Sequence, residues 1–295
     1  MKIVLEPSQP FNLDLTLCCG QAFRWEKFGK WWYGVVKDTP LKIRQISNVL
    51  EFENANSCLV KNYFGLGDDL PLILSEIAKD KHVEEAVKTL KGLRILRQDP
   101  WECLISYICA TYKNIPAIKR ILHNISKRFG EKTALEGYIL YVFPTAEKLV
   151  KASPQQLAEC GLGYRAKYVY EAAKRVASGK LEIEELKKEG YERARENLLT
   201  LKGVGLKVAD CVALFSLGKL EAFPVDVWMK RAIARHYANY FEEEFIRKIS
   251  REKSLTRANY ERLSSFGRSY FGVYAGYAQE YLFHFERVTA RQTTS

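Results

Sequence analysis

One short segment constrains this chain more than any other. Tyr191–Leu201 has helical periodicity and runs into Lys202-Gly203-Val204-Gly205. A second helical stretch, Leu206–Leu217, follows at once, with Val208, Cys211, Val212 and Phe215 on one face. Two helices joined by a Gly-x-Gly turn fold back on each other. The turn aims backbone N–H groups outward beside the start of the second helix. Orphan donors and the helix dipole both favour an anion there, so the hairpin is a seat for a phosphate. Such a seat reads a nucleic-acid backbone rather than a base. The plainer alternative is a helical hairpin closed by glycines. The net charge of +11 over 295 residues favours the phosphate seat, because an excess of Lys and Arg suits a polyanion.

The rest of the chain divides around residue 90. Phe23–Phe28, Trp31–Val36, Leu41–Ile46 and Val49–Glu53 are short runs rich in aromatic and branched residues. Gly29-Lys30, Asp38-Thr39-Pro40 and Ser47-Asn48 separate them, which is the spacing of an antiparallel meander. Ser57–Leu66, Leu72–Lys79 and Val83–Leu90 switch to helical periodicity. From Pro100 the chain reads as helices: Trp101–Thr111, Ile115–Phe129, Pro144–Lys151, Pro154–Cys160 and Arg165–Ser178. The expected fold is α+β, with an N-terminal β-rich domain over 1–90 and a helical domain over 91–295. No apolar run approaches the roughly 20 residues of a membrane helix. The N-terminus lacks the apolar core of a secretory signal, which predicts an intracellular protein. Seven cysteines, an odd number without a C-x-x-C pair, argue against a disulfide framework, a zinc knuckle and an iron–sulfur cluster.

Chemistry gathers near the hairpin. Lys207 opens its second helix, where the dipole disfavours a cation and favours a neutral, nucleophilic amine. Cys211 lies one turn on, on the same face. Downstream, Phe223-Pro224-Val225-Asp226 sets a carboxylate where it would cap the helix Val227–His236. Singly, a solvated lysine and a capping aspartate are the plainer readings.

Together these residues are more specific. Lys207-Val208-Ala209-Asp210-Cys211 after Gly-Val-Gly, followed by Pro224-Val225-Asp226, resembles the helix–hairpin–helix/Gly-Pro-Asp superfamily of DNA glycosylases. Cys19-Gly20-Gln21-Ala22-Phe23-Arg24-Trp25, Leu96-Arg97-Gln98-Asp99-Pro100, Gly161-Leu162-Gly163-Tyr164-Arg165-Ala166 and Tyr274-Ala275-Gly276-Tyr277-Ala278-Gln279 are similar to the 8-oxoguanine DNA glycosylase/lyase family. The motifs occur in order over about residues 17–287. The resemblance implies a twisted N-terminal sheet like the TATA-binding-protein repeat, and a cleft between two helical subdomains. It also implies a monomer acting on double-stranded DNA in base excision repair. Lys207 would displace the damaged base through a Schiff base, followed by β-elimination, and Asp226 would stabilise charge developing on the sugar. The Gly20 carbonyl would accept the N7 proton that 8-oxoguanine has and guanine lacks. Cys211 and Phe283 would sandwich the base, Gln279 would read its Watson–Crick edge, and Phe215 would complete the apolar wall. Gly203, Gly205 and Val208 would hold a phosphate through backbone N–H groups. Carbonyls of Leu199, Leu201 and Val204 would hold a structural cation, and no catalytic cofactor is implied.

The chain departs from the family where the base opposite the lesion is read. Three consecutive asparagines become Tyr112-Lys113-Asn114, and an arginine becomes Ala117. Tyr112 would fill the gap left by the flipped base by stacking, and Asn114, Tyr164 (the wedge) and Arg165 remain as DNA contacts. A weakened preference for cytosine follows. Trp228 stands where animal members have a histidine near a phosphate, and Glu286 stands near an expected aspartate; the pocket is expected to tolerate both. Two other readings compete. A glycosylase of the same superfamily for alkylated bases would lack the lysine, and one for oxidised pyrimidines would commonly carry a C-terminal four-cysteine cluster. A non-catalytic helix–hairpin–helix DNA-binding protein would have no reason to pair Lys207 with Asp226. The expected compartment is cytoplasm or nucleoid in a prokaryote and nucleus in a eukaryote.

Overall fold

The computed structural model describes residues 1–292. The chain runs β1 (Lys2–Val4), α1 (Leu13–Cys18), β2 (Glu26–Phe28), β3 (Trp31–Val36), β4 (Thr39–Ile46) and β5 (Val49–Glu53). Then come α2 (Ser57–Tyr63), α3 (Leu70–Ile77), α4 (Lys81–Thr89), α5 (Pro100–Ala110) and α6 (Ile115–Phe129). A hairpin, β6 (Lys132–Leu135) and β7 (Tyr138–Tyr141), precedes α7 (Ala146–Lys151), α8 (Pro154–Leu157) and α9 (Ala166–Ala177). The chain continues with α10 (Tyr191–Leu199), α11 (Leu206–Ser216), α12 (Val227–His236), α13 (Glu243–Arg251), α14 (Arg257–Phe271) and α15 (Ala275–Gln292).

The N-terminal sheet is antiparallel, in the order β1-β5-β4-β3-β2. Its hairpin turns place Gly29, Lys37 and Ser47 at positive φ, the conformation that tight hairpin connections demand. Pro40 is tolerated because β4 pairs only with β3 at that point; pairing with β5 begins at Lys42. Leu41, Ile43, Leu50 and Phe52 form the inner face and pack with Leu13 and Leu17 of α1, Val60 of α2 and Phe64, which caps α2. The expected strand over 23–28 is shorter than its composition suggests. Phe23 joins the helical core and Trp25 the sheet core, so only Glu26–Phe28 reaches the ladder. β1, α1 and the β6–β7 hairpin have no counterpart in the sequence reading. The hairpin lies against the second face of the sheet, where Tyr138 meets the rings of Phe28 and Tyr33.

The helical core is a second cluster, and α3 and α4 belong to it. Ile73, Ile77, Val83 and Ala86 pack with α15 rather than with the sheet. Three side chains stitch the units together. Arg94, fully buried, donates to the carbonyls of Pro10, Gly65 and Asp68. Gln21 donates to the carbonyls of Thr16 and Arg94 and accepts the Leu96 N–H. Gln98 then donates to the Gln21 carbonyl, while its own N–H bonds Phe215 of α11. Each backbone group would be costly to leave unpaired in this interior. The strap therefore fixes the Cys19-Gly20-Gln21 turn against the helix that carries Lys207. Among the described residues, no helix is long and apolar enough to cross a membrane.

Candidate active site

Lys207, Cys211, Asp226, Gln279, Phe283 and Gly20 come from four parts of the chain and line one cavity of about 340 Å³. That volume lies in the range of small-ligand sites. A larger hollow of about 610 Å³ lies between α12 and α13 and is lined by Lys230, Arg231, Arg235, Arg251 and Lys253. It is basic but holds neither Lys207 nor Asp226; the residues expected to carry the chemistry line the smaller cavity.

Lys207 occupies the first turn of α11, whose N-cap, Gly205, supplies no side-chain hydrogen bond. The opening N–H groups of the helix are thus left for an external acceptor. The tight turn requires Gly203: its φ is +87°, and a Cβ would lie 2.4 Å from the Tyr168 ring. A Cβ on Gly205 would meet nothing, so its small size leaves room outside the helix for a partner's backbone. Val208 is buried beneath this turn.

Lys207 Nζ stands 4.8 Å from the Tyr107 ring centroid. That ring is stacked on Phe215 at 5.7 Å. Burial pushes the Cys211 thiol up to about 12, against the pull of Lys207, so the group is a neutral thiol. It forms a polarizable wall and not a nucleophile. Asp226 caps α12, accepting the Met229 N–H at 2.8 Å. Burial raises its carboxyl, while that cap and Lys207 pull against the rise. The cap bond from Met229 falls on Oδ1, and Asp226 remains in the cavity lining beside Lys207.

Sequence reasoning missed Glu280, Arg287 and Tyr107, all of which line the cavity. Glu280 is 2 % exposed and one of its oxygens has no partner. Burial pushes its carboxyl up from 4.5 to about 7, against hydrogen bonding from Cys19 and the charge of Arg287. The folded protein therefore holds a proton there that the unfolded chain releases, and stability falls as pH rises from about 4.5 to 7. At about 1.4 kcal/mol per unit the cost reaches about 3 kcal/mol above pH 7. Glu280→Gln is expected to raise the melting temperature at pH 8 and leave it unchanged at pH 5. Equal shifts at both pH values in scanning calorimetry would refute a raised carboxyl.

Of the expected DNA contacts, Asn114 and Trp228 line the cavity, and Tyr112, Tyr164 and Arg165 lie outside its lining. Tyr112 is 83 % exposed and holds φ +53°, a conformation that Asn adopts readily and a bulky side chain does not. Asn114 caps α6, its side-chain oxygen accepting the Ala117 N–H at 3.0 Å. Tyr164 is exposed, with the Arg165 guanidinium 4.4 Å from its ring. Arg165 itself is buried and holds the carbonyls of Leu162 and Thr111. Trp228 lines the cavity, with the Arg231 guanidinium 5.6 Å from its ring. Glu286 turns to the end of α12, where it pairs with Arg235 at 3.0 Å and His236 at 2.7 Å. At the hairpin, Leu201's carbonyl accepts the Val204 N–H, and Arg175 donates to the Thr200 carbonyl between Leu199 and Leu201.

Residues 3–104 match the family described as "8-oxoguanine DNA glycosylase, N-terminal domain". Residues 105–258 match the "HhH-GPD superfamily base excision DNA repair protein" family. The chain is 33% identical to the N-glycosylase/DNA lyase of Saccharomyces cerevisiae, over 91% of this chain and 81% of that protein. It superposes on MBOgg1 in complex with a low affinity DNA ligand with a TM-score of 0.88 at 34% identity, covering 98% and 96% of the two chains. It also superposes on the Clostridium acetobutylicum 8-oxoguanine glycosylase/lyase, in complex with double-stranded DNA containing cytosine opposite to 8-oxoG. That TM-score is 0.84 at 33% identity, over 95% and 93% of the chains.

Proposed function

Because the chain belongs to the 8-oxoguanine DNA glycosylase family of the helix–hairpin–helix/Gly-Pro-Asp superfamily, we propose that it excises the damaged base through Lys207. It is a bifunctional DNA N-glycosylase and abasic-site lyase of base excision repair. The observation that carries the residue assignment is the convergence of Lys207, Asp226, Gly20, Cys211, Gln279 and Phe283 on one cavity.

DNA is the partner, and the flipped 8-oxoguanine is the substrate. Lys207 Nζ forms a bond to C1′ while the bond to N9 breaks and its electron pair leaves with the base. Asp226, facing Lys207 across the cavity, stabilises the positive charge that builds on the sugar. The nitrogen loses a proton, its lone pair then forms the C1′=N bond as the C1′–O4′ bond breaks, and O4′ keeps that electron pair and takes up a proton; the result is an iminium, which water as a nucleophile could not form. A proton then leaves C2′ and the 3′ phosphate departs, cutting the strand. The base lies between Cys211 and Phe283 beside Phe215, with Gln279 on its Watson–Crick edge and the Gly20 carbonyl on N7–H. The amides around Gly203, Gly205 and Val208 take a phosphate.

No cofactor enters the family's chemistry. The carbonyls of Leu199, Leu201 and Val204 remain the seat proposed for a structural cation; carbonyl oxygens are suitable donors, and Leu201's keeps a lone pair. Arg175, bound to the carbonyl between them, is a fixed positive charge that such an ion would have to share the turn with. Lys207, Asp226 and the residues proposed to hold the base are all supplied by one chain, so the proposed reaction needs no second copy, and it would act as a monomer in whichever compartment holds the DNA.

The preference for cytosine is weakened. Tyr112 cannot offer the donor–acceptor pair of an asparagine, position 117 is an alanine, and Arg165 is committed to backbone carbonyls. Single-turnover excision of 8-oxoguanine opposite C, A, G and T is expected to vary by less than about tenfold, or about 1.4 kcal/mol. Excision confined to the cytosine duplex would overturn this; no excision from any of the four would overturn the substrate.

A further inference from the structure

Gln279, Phe283 and Arg287 are spaced by four and share one face of α15. The first two already have parts in holding the base; Arg287 has none. It is 8 % exposed and lines the cavity. Its Nη2 donates to the Cys18 carbonyl at 2.8 Å and lies 3.1 Å from His284 Nδ1. The Phe283 ring centroid is 5.1 Å from its Cζ. The guanidinium is thereby pinned against the Cys18-Cys19-Gly20 turn. Its Nη1, by contrast, has no hydrogen-bond partner. That nitrogen lies against Gly20: a Cβ there would be 2.6 Å from it. A guanidinium serving the fold alone would have both ends satisfied, because a buried unpaired donor is costly.

We propose that Arg287 is a specificity-determining residue whose Nη1 donates to the C8 carbonyl of the flipped base, beside the Gly20 carbonyl that takes N7–H. This rests on the role of Gly20 given above. An 8-oxopurine carries a lactam edge, with the N7–H donor next to the C8=O acceptor. The Gly20 carbonyl and Nη1 offer an acceptor next to a donor, the complement of that edge. Guanine presents the reverse at N7 and a C–H at C8. It would oppose two acceptors at Gly20 and leave Nη1 unpaired, so it fails twice where a carbonyl alone rejects it once. The anchored Nη2 and the Phe283 ring oppose the rotation that would let the guanidinium follow guanine N7.

The test compares wild type with Arg287→Met, which keeps length and loses the donors, and Arg287→Lys, which restores one. Single-turnover excision is measured on an 8-oxoguanine duplex, and strand cleavage on a duplex with a preformed abasic site, where there is no base to read. Arg287→Met is expected to slow excision by roughly 10- to 100-fold and leave abasic-site cleavage unchanged. Arg287→Lys is expected to recover part of the loss. Unchanged excision in Arg287→Met would overturn the contact. An equal fall in both reactions would also overturn it, in favour of a role in folding or phosphate binding. A wild-type protein that cleaves abasic sites but leaves 8-oxoguanine in place would instead remove the Gly20 reading, and this inference with it.

Discussion

Lys207→Gln is expected to eliminate the covalent protein–DNA adduct that borohydride traps on an 8-oxoguanine duplex. Base release and strand cleavage should fall together, by on the order of 10⁴-fold or more, as when a nucleophile is removed from a group of residues acting as one. Glutamine keeps the reach of the side chain and discards the amine. Binding should survive, because the phosphate seat proposed for the hairpin is made of backbone N–H groups that the substitution does not touch. Loss of the Nζ contact with the Tyr107 face is minor beside that, at about 0.5–1 kcal/mol. The assay separates three mechanisms. An adduct that persists in Lys207→Gln would assign the nucleophile elsewhere. Base release without any adduct in the wild type would make water the nucleophile. Binding without reaction in the wild type would leave a DNA-binding protein. The cavity argues for the first expectation, since Asp226 faces Lys207 and feels its charge.

Lys207, Cys211 and Asp226 were legible because local rules fix them. A Gly-x-Gly turn dictates where a helix starts, and a helix start dictates where residues two and six of it point. Asp226 follows a proline and begins a helical run, so its cap was readable as well. Gly20 was assigned only through resemblance, since nothing local says that a turn in the sheet domain reaches a cleft in the helical one. The strap of Gln21, Arg94 and Gln98 puts it there, by hydrogen bonds that span more than 70 residues of sequence. Glu280 and Arg287 read as ordinary charged residues in a stretch where the sequence analysis named no helix, and only the packing of α15 turns them inward. Arg165 was legible only as an arginine in a Gly-rich turn; its burial on two carbonyls comes from packing that the turn's sequence does not announce. The β6–β7 hairpin was hidden because its strands are half-exposed and four residues long, too short for alternation to register.

Asp210→Ala should be the most destabilising single change in the hairpin. Asp210 stands on the buried face of α11, behind the face that carries Lys207 and Cys211, and has no exposed surface. One oxygen accepts from Tyr191 at 2.8 Å and from Arg195 Nε at 2.7 Å; the other accepts from Tyr260 at 2.6 Å. Burial pushes its carboxyl up, and Arg195 with the two phenols pulls against that. The bonds join α10, α11 and α14. Tyr260 reaches further, its hydroxyl accepting the N–H of Val225, the residue before Asp226. Removing the carboxylate strands three donors in a water-poor interior, although Arg195 keeps Glu261 at 2.9–3.1 Å. Breaking such a buried pair costs about 3–5 kcal/mol, or roughly 10 °C in melting temperature for a chain of this size. Asp210→Asn keeps an acceptor but not the charge and should fall between Ala and wild type. A calorimetric shift of less than about 1 kcal/mol for Asp210→Ala would mean that the network is offset by its own desolvation. The expected result carries a kinetic corollary. The same carboxylate locks the hairpin that bears Lys207 and, through Tyr260, the segment that bears Asp226. The Asn variant should therefore lose excision rate well below its melting temperature, because a small misplacement of the two groups proposed to carry the reaction is costly even where the fold survives.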